Sequence, residues 1–153
     1  DNLFSFHWEE TRGLDDFEAC GLAGKSDIRD LFVPNFYFGC EADDRMNSVA
    51  FNRKLNHFDV KLKALFSSDI GHWDVPDIRY VVHEAHGAVE AGLMDEGDFR
   101  DFVFRNVAEL HVQMNPGFYK GTAVEGAVQK LIDDGEIVLP DHAAALAVPA
   151  AAE

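Results

Sequence analysis

The sequence has few cysteines and no long apolar run. Its two cysteines, Cys20 and Cys40, are too few for a disulfide scaffold, and we expect both to be reduced thiols. No apolar run approaches the roughly 20 residues that span a bilayer, and no charged-then-apolar leader opens the chain. We therefore expect a cytoplasmic protein without a membrane partner.

Basic residues are also scarce. Lysine and arginine total 13 against 28 aspartates and glutamates, and the formal net charge is −15 over 153 residues. Such an acidic chain repels phosphate backbones, so we expect no nucleic-acid partner. The hydrophobic fraction of 47% is that of a globular domain, or of part of one. Because the chain begins with Asp1 rather than Met, we expect it to be part of a longer protein.

Two short segments predict strands. Residues 35–40 are continuous and aromatic, which is typical of a strand buried on both faces. Residues 63–70 begin apolar and end polar. Helical spacing of apolar residues follows each strand, and this alternation predicts a parallel sheet of the α/β class. Two such strands cannot protect both faces and both edges of a sheet, so the other strands are expected from a longer protein or a partner.

Capping signals predict where the helices begin. Ser26 is a candidate N-cap, Asp74 or Asp77 precedes the helix after Pro76, and Asp95 opens the next helix. Thr122 to Glu125 form a candidate capping box, and a shorter helical patch is expected around residues 46–50. The apolar residues expected on inward helix faces are Ile78, Val81, Val82, Ala85 and Val89, then Phe99, Phe102, Val103, Val107 and Leu110, then Val124, Ala127, Val128 and Leu131.

The strongest chemical signal is Asp69, within Ser-Ser-Asp-Ile-Gly-His-Trp-Asp at residues 67–74. A carboxylate at the C-terminal end of a parallel strand is placed for a site rather than for the core. Burying it without a partner is costly, and a divalent metal ion removes that cost. The alternative is that Asp69 caps a turn or accepts backbone N–H bonds in the loop.

Other polar residues lie near this signal in the chain. His72 and Asp74 are predicted to contact a substrate or to hold Asp69 in place, with helix capping as the alternative for Asp74. Glu41 follows the first strand at the same end and is predicted to contact a substrate or form an ion pair; the alternative is a solvated acidic loop. His83 and His86 share a helix face but have no third ligand, so no metal site is expected there.

Three segments together resemble a known family. Residues 36–44 (FYFGCEADD), 65–77 (LFSSDIGHWDVPD) and 99–106 (FRDFVFRN) occur in an order that resembles the end of the amidohydrolase-related proteins. The branch concerned also includes aminocarboxymuconate-semialdehyde decarboxylase-like enzymes. The similarity covers roughly residues 30–130, and the second segment is its most specific part.

The resemblance implies the C-terminal portion of a (β/α)₈ TIM barrel, with its last two βα units and C-terminal helices. Residues 1–34 would lead into strand seven, residues 35–135 would hold the two units and the helices, and residues 136–153 would be a short extended stretch and an alanine-rich tail. Asp69 matches the eighth-strand aspartate that binds the divalent metal, for which zinc is expected, and that handles the proton of the attacking water.

The resemblance also implies a reaction. We expect hydrolysis of a C–N or C–O bond, or decarboxylation, of a small-molecule substrate. The family's first-strand His-x-His pair is absent from this chain, so the isolated chain is expected to be inactive and to depend on ligands outside it. The alternative is a non-catalytic barrel remnant that associates with a partner through exposed sheet edges, including as a homo-oligomer.

Overall fold

Two parallel strands organise the structure, a computed structural model that describes residues 17–140. Strand β1 (Tyr37–Glu41) pairs with β2 (Lys63–Ser67), with Tyr37 opposite Lys63 and Glu41 opposite Ser67. The parallel pairing predicted from the order of elements is confirmed. The predicted lead-in over residues 1–16 and the alanine-rich tail from residue 143 lie outside the described residues.

The helices surround one side of this strand pair. They are α1 (Lys25–Phe32), α2 (Val81–Glu90), α3 (Glu96–Arg100), a π-helical turn (Asp101–Arg105), α4 (Asn106–Met114) and α5 (Glu125–Asp133), with 3₁₀ turns at Arg45–Phe51 and His57–Asp59. None of the helices between residues 17 and 140 has the length and apolar character needed to cross a bilayer.

The sheet is covered on one face. Ala64 is fully buried in a core that includes Phe102, and Cys40 and Phe66 pack against that core. On the opposite face, Gly39 and Glu41 of β1 are exposed. The prediction that β1 is buried on both faces is therefore wrong for residues 17–140, because this second face is covered only where the strands begin, by the contacts of Tyr37 and Lys63 with α4.

The connection from β1 to β2 contains a 3₁₀ turn rather than the expected α-helical patch. Polar side chains explain the difference, because they bond to backbone groups that an α-helix would use. The Asn47 side chain donates to the Glu41 carbonyl, the Ser48 hydroxyl donates to the Arg45 carbonyl, and the Asn56 side chain donates to the Val49 carbonyl. The turn is thereby held against the end of β1.

Helices α3 and α4 join through the π-helical turn without a break. Phe102, in that turn, is 1% exposed and packs edge-on against Phe51 and Phe66, with ring centroids 6.2 Å and 5.9 Å away. A π turn inserts one residue and rotates the following helix by about 100°. The buried positions of α4 are therefore Asn106, Ala108, Glu109 and Val112, and the predicted inward face with Val107 and Leu110 is wrong in this half.

Two other helix starts differ from the prediction. Helix α2 begins at Val81 with Tyr80 as its N-cap, so neither Asp74 nor Asp77 caps it, and Ile78 and Val82 are exposed. The Asp77 carboxylate instead accepts hydrogen bonds from the guanidinium and from the backbone N–H group of Arg79, and the charge of the guanidinium strengthens this local contact.

At α5 the Thr122 hydroxyl donates to the Tyr119 carbonyl, so the predicted capping box does not form. Helix α1 has Gly24 rather than Ser26 as its N-cap, since the Asp27 carboxylate accepts from the Ala23 and Gly24 N–H groups.

Other local predictions are confirmed. Asp95 caps α3 by accepting from the Asp98 N–H group at 2.7 Å, and Gly92 has a positive φ of 68° just after α2. The predicted extended stretch at residues 137–139 forms no strand. Ile137 is nevertheless 1% exposed, because it packs in a second core with Val112, Val128 and Leu131.

One buried hydrogen bond links the helical layer to the strand that leads to Asp69. The Asn106 side-chain amide donates to the Ala64 carbonyl at 3.0 Å, and Arg105 donates to the Asn106 oxygen at 3.1 Å. Replacing Asn106 by alanine leaves the buried carbonyl unpaired. We predict that Asn106→Ala lowers the free energy of unfolding by about 1–3 kcal/mol in urea titrations.

The exposed Gln129→Ala on α5 is the control for this substitution. Among residues 17–140 its side chain bonds only to Asp133, one turn further along the same helix, so a change within about 0.5 kcal/mol is expected. Equal effects of the two substitutions would contradict the stabilising role assigned to the Asn106 bond.

Candidate metal site

The candidate site forms where β2 ends and the chain turns back on itself. Asp69 lies two residues beyond the strand and has a φ of 50°, in the left-handed region, and Gly71 follows with a φ of 102°. Aspartate enters this region more readily than most residues. The His72 N–H group donates to the Asp69 carbonyl at 3.1 Å and closes the turn. The turn therefore returns His72 and Asp74 to the end of the strand.

Three predicted site residues meet at this turn. The Nδ1 atom of His72 lies 3.3 Å from Oδ2 of Asp69 and forms a hydrogen bond with Oδ1 of Asp74. One ligand atom from each of the three residues lies within 4.8 Å of the other two. Asp74 is thus a partner of His72 rather than a helix cap.

The Asp69 side chain is not used as a turn cap. No backbone N–H group of residues 17–140 donates to its carboxylate, although its carbonyl closes the turn. The side chain is 39% exposed. The alternative in which loop N–H groups satisfy this carboxylate is therefore not found in the described part of the chain.

Further carboxylates surround the three residues. One pocket is lined by Glu41 at the end of β1, by Asp43, Asp69 and Asp74, and by Glu84 of α2. Glu41 was predicted at this end of the sheet, whereas Glu84 was not, because nothing in its spacing separates it from a solvated helix residue. The five acidic groups make the pocket a place where a cation is electrostatically favoured.

The charges shift the proton affinities of the site. Partial desolvation, followed by repulsion from Asp69, Asp43 and Asp74, raises the pKa of Glu41 above its usual value. The hydrogen bond with Asp74 raises the pKa of His72, and the same bond lowers the pKa of Asp74. In the absence of a metal ion, the His72 imidazolium is thus the positive charge that the carboxylates favour.

The three donors match the chemistry of a divalent metal ion. Carboxylate oxygens and an imidazole nitrogen are ligand types that zinc accepts, and solvent access leaves a fourth position for a water molecule. His72 is 52% exposed and Asp74 is 41% exposed, so an ion and a water molecule have access. The residues present therefore fit a divalent ion of the kind that was expected.

The remaining candidates lie elsewhere. His86 lies 3.7 Å from Glu90 and 3.3 Å from Glu96, in an ion-pair cluster at one end of α2, and His83 is exposed. No group of three metal-binding side chains among residues 17–140 includes either histidine. The prediction that this pair holds no metal stays a prediction.

A polar cluster at the opposite end of the strands was not predicted. Lys63 Nζ lies 3.2 Å from a Glu109 carboxylate oxygen and donates to the Tyr37 hydroxyl at 3.1 Å. Burial, reinforced by the charge of Glu109, raises the pKa of Tyr37 strongly. The sequence offered one indication of this cluster, because Lys63 is a charged residue at the start of an otherwise apolar strand. Its partner Glu109 could not be identified in advance, since the π turn determines which residues of α4 face the strand.

The His72–Asp74 contact predicts a pH dependence. Because the pKa of His72 is raised in the folded state, its stabilising contribution is present below the ordinary histidine pKa of about 6.5. It is lost as the pH rises through the higher folded value. In NMR titrations we predict a His72 midpoint above the ordinary histidine pKa, and a downward shift of that midpoint in Asp74→Asn. An unchanged midpoint in this variant would contradict the contact.

The comparisons with known proteins add no assignment. No protein-family model, no curated protein and no solved structure matches this chain. The resemblance to the amidohydrolase-related proteins stays a prediction.

Proposed function

We propose that Asp69, His72 and Asp74 hold a divalent metal ion, and that the chain is the C-terminal part of a metal-dependent hydrolase of the amidohydrolase type. The observation that supports this most is the convergence of the three donor atoms within 4.8 Å just beyond β2. The ends of parallel strands are where α/β enzymes place their sites. The Asp69 carboxylate lies just beyond such a strand end and is therefore well placed to bind a cation.

Electrostatics favours an ion over an empty cluster. Five carboxylates line the pocket, and the His72 ring lies beside two of them, Asp69 and Asp74, so a divalent cation offsets more of the repulsion than an imidazolium can. Zinc is the proposed metal, because an imidazole and two carboxylates suit it. Binding through His72 requires the neutral ring, so uptake of the ion releases a proton and weakens in acid.

The chain's own residues have distinct roles in this proposal. When bound, the metal supplies an acidified water molecule and an electrophile for the substrate. Before an ion binds, the hydrogen bond with Asp74 orients the His72 ring. Asp69, just beyond the end of β2, is close enough to the proposed ion to accept a proton from its bound water. Glu41, with its raised pKa, is suited to proton exchange at the same end of the sheet.

The proposed reaction class follows from these roles and from the resemblance. It is hydrolysis of a C–N or C–O bond, or decarboxylation, of a small molecule, with further ligands from outside the chain. The two reactions use the same ligands.

A second candidate is supported by the sheet. One face of the strand pair is open, with Gly39 and Glu41 exposed, and the outer edge of β1 pairs with no strand between residues 17 and 140. A non-catalytic protein that associates with a partner or with itself through this surface would use both features. Weak zinc binding combined with a stable oligomer in analytical ultracentrifugation would favour this candidate.

Zinc titration by calorimetry tests the metal proposal. We expect Asp69→Asn to weaken zinc binding at least tenfold, roughly the smallest loss seen when metal-site partners are removed, with the circular dichroism spectrum unchanged. Asp77→Asn is the matched control, because Asp77 lies in the same loop but is paired with Arg79. Its affinity should equal that of the unmodified chain. Equal zinc affinity in Asp69→Asn and the unmodified chain would overturn the proposal.

A further inference from the structure

A second cavity opens between the segment after β1 and helix α2. Its volume is about 220 Å³. Its floor consists of core residues that are each less than 9% exposed, namely Ala42, Ala85, Ala88, Met94 and Phe102. Protein cores are normally filled to the density of organic crystals. A space of this size over an apolar floor therefore offers room for an apolar group.

The rim of this cavity is charged. Asp43, Asp44 and Glu84 line it together with one basic residue, Arg45. The Asp44 carboxylate already accepts from the Met46 N–H group at 2.8 Å. Asp43 and Glu84 make no ion pair with any residue between 17 and 140, and neither does Arg45. The rim thus carries an excess of negative charge above an apolar floor.

We infer that this cavity binds a small organic cation, an ammonium group with a short alkyl tail. The tail enters the space above Ala88 and Met94, and the ammonium group lies between Asp43 and Glu84. Charge complementarity selects the cation, because an anion of the same shape meets two unpaired carboxylates. Asp43 and Glu84 line both pockets, but the floor residues Ala85, Ala88 and Met94 line only this cavity, so the alkyl tail has a site that the metal proposal does not use.

Three probes of similar length but different charge test the ligand class. Titration of the ¹⁵N-labelled chain with n-butylammonium, 1-butanol and butyrate should perturb the amide signals of Gly87, Ala88 and Met94. We expect n-butylammonium to bind roughly tenfold more tightly than butyrate, with 1-butanol in between. Added salt should weaken ammonium binding and leave 1-butanol unchanged. Each methylene added to the alkyl tail of the ammonium probe should tighten binding by about fourfold, until the tail fills the cavity.

Substitutions then locate the binding. Ala88→Leu places a larger side chain in the floor and should reduce butylammonium affinity at least tenfold, whereas Ala91→Leu, at the exposed end of the same helix, should not change it. Glu84→Gln should weaken butylammonium binding but not 1-butanol binding, which keeps the test decisive if Ala88→Leu does not fold. Arg45→Ala should tighten ammonium binding, because it removes the rim's positive charge.

The outcomes are separable from those of the metal proposal. Asp69→Asn should leave butylammonium binding intact, even where it removes zinc binding. Equal binding of butyrate and butylammonium would overturn the inference. So would unchanged affinity in a folded Ala88→Leu variant, or amide perturbations confined to other parts of the chain.

Discussion

Repulsion between carboxylates at the ends of the two strands is the constraint on which the site depends. Glu41 and Asp69 leave neighbouring strands at the same end, and Asp74 returns to that end through the turn. Parallel pairing makes this crowding unavoidable, because it brings the C-terminal ends of both strands together. His72 offsets part of the repulsion through its contacts with Asp69 and Asp74. A divalent ion carries twice the charge of the His72 imidazolium and would offset more of this repulsion, which is why we propose that the site binds a metal.

The fold maintains this crowding through apolar packing on one side of the sheet. Phe102 packs against Phe51 and Phe66 beneath the strands, and the π turn that carries it presents Asn106 to the backbone of β2. An unsatisfied buried carbonyl at Ala64 would be costly, so the amide bond supports the strand that carries Asp69. The Asn106 bond thus supports the site from the opposite end of the strand, whereas α2 contributes Val81 and Glu84 directly to the pocket.

Much of the framework could be predicted from patterns along the chain. The apolar segments around Phe38 and Leu65 gave both strands, and their alternation with helices predicted the parallel pairing. Asp69 was singled out because a carboxylate at the C-terminal end of a parallel strand is placed for a site rather than for the core. The Asp95 cap and the Gly92 terminus followed from the chemistry of single residues.

Features that depend on tertiary context could not be predicted in this way. A π turn has no periodic signature, so the rotation that buries Asn106 and Glu109 was missed. Helix starts were misplaced where a side chain found a nearer partner, as Asp77 did with Arg79. Glu84 lines the pocket because α2 packs beside the strand ends. The spacing of residues along the chain does not predict where α2 packs.

Zinc K-edge X-ray absorption of the chain loaded with one equivalent of zinc tests the central claim most directly. A zinc ion held by Asp69, His72 and Asp74 should show a first shell of oxygen and nitrogen atoms at about 2.0–2.2 Å, with the scattering pattern of one imidazole. That imidazole signal should disappear in His72→Ala. A shell of water oxygens alone, a shell containing sulfur, or an imidazole signal that survives His72→Ala would contradict the account.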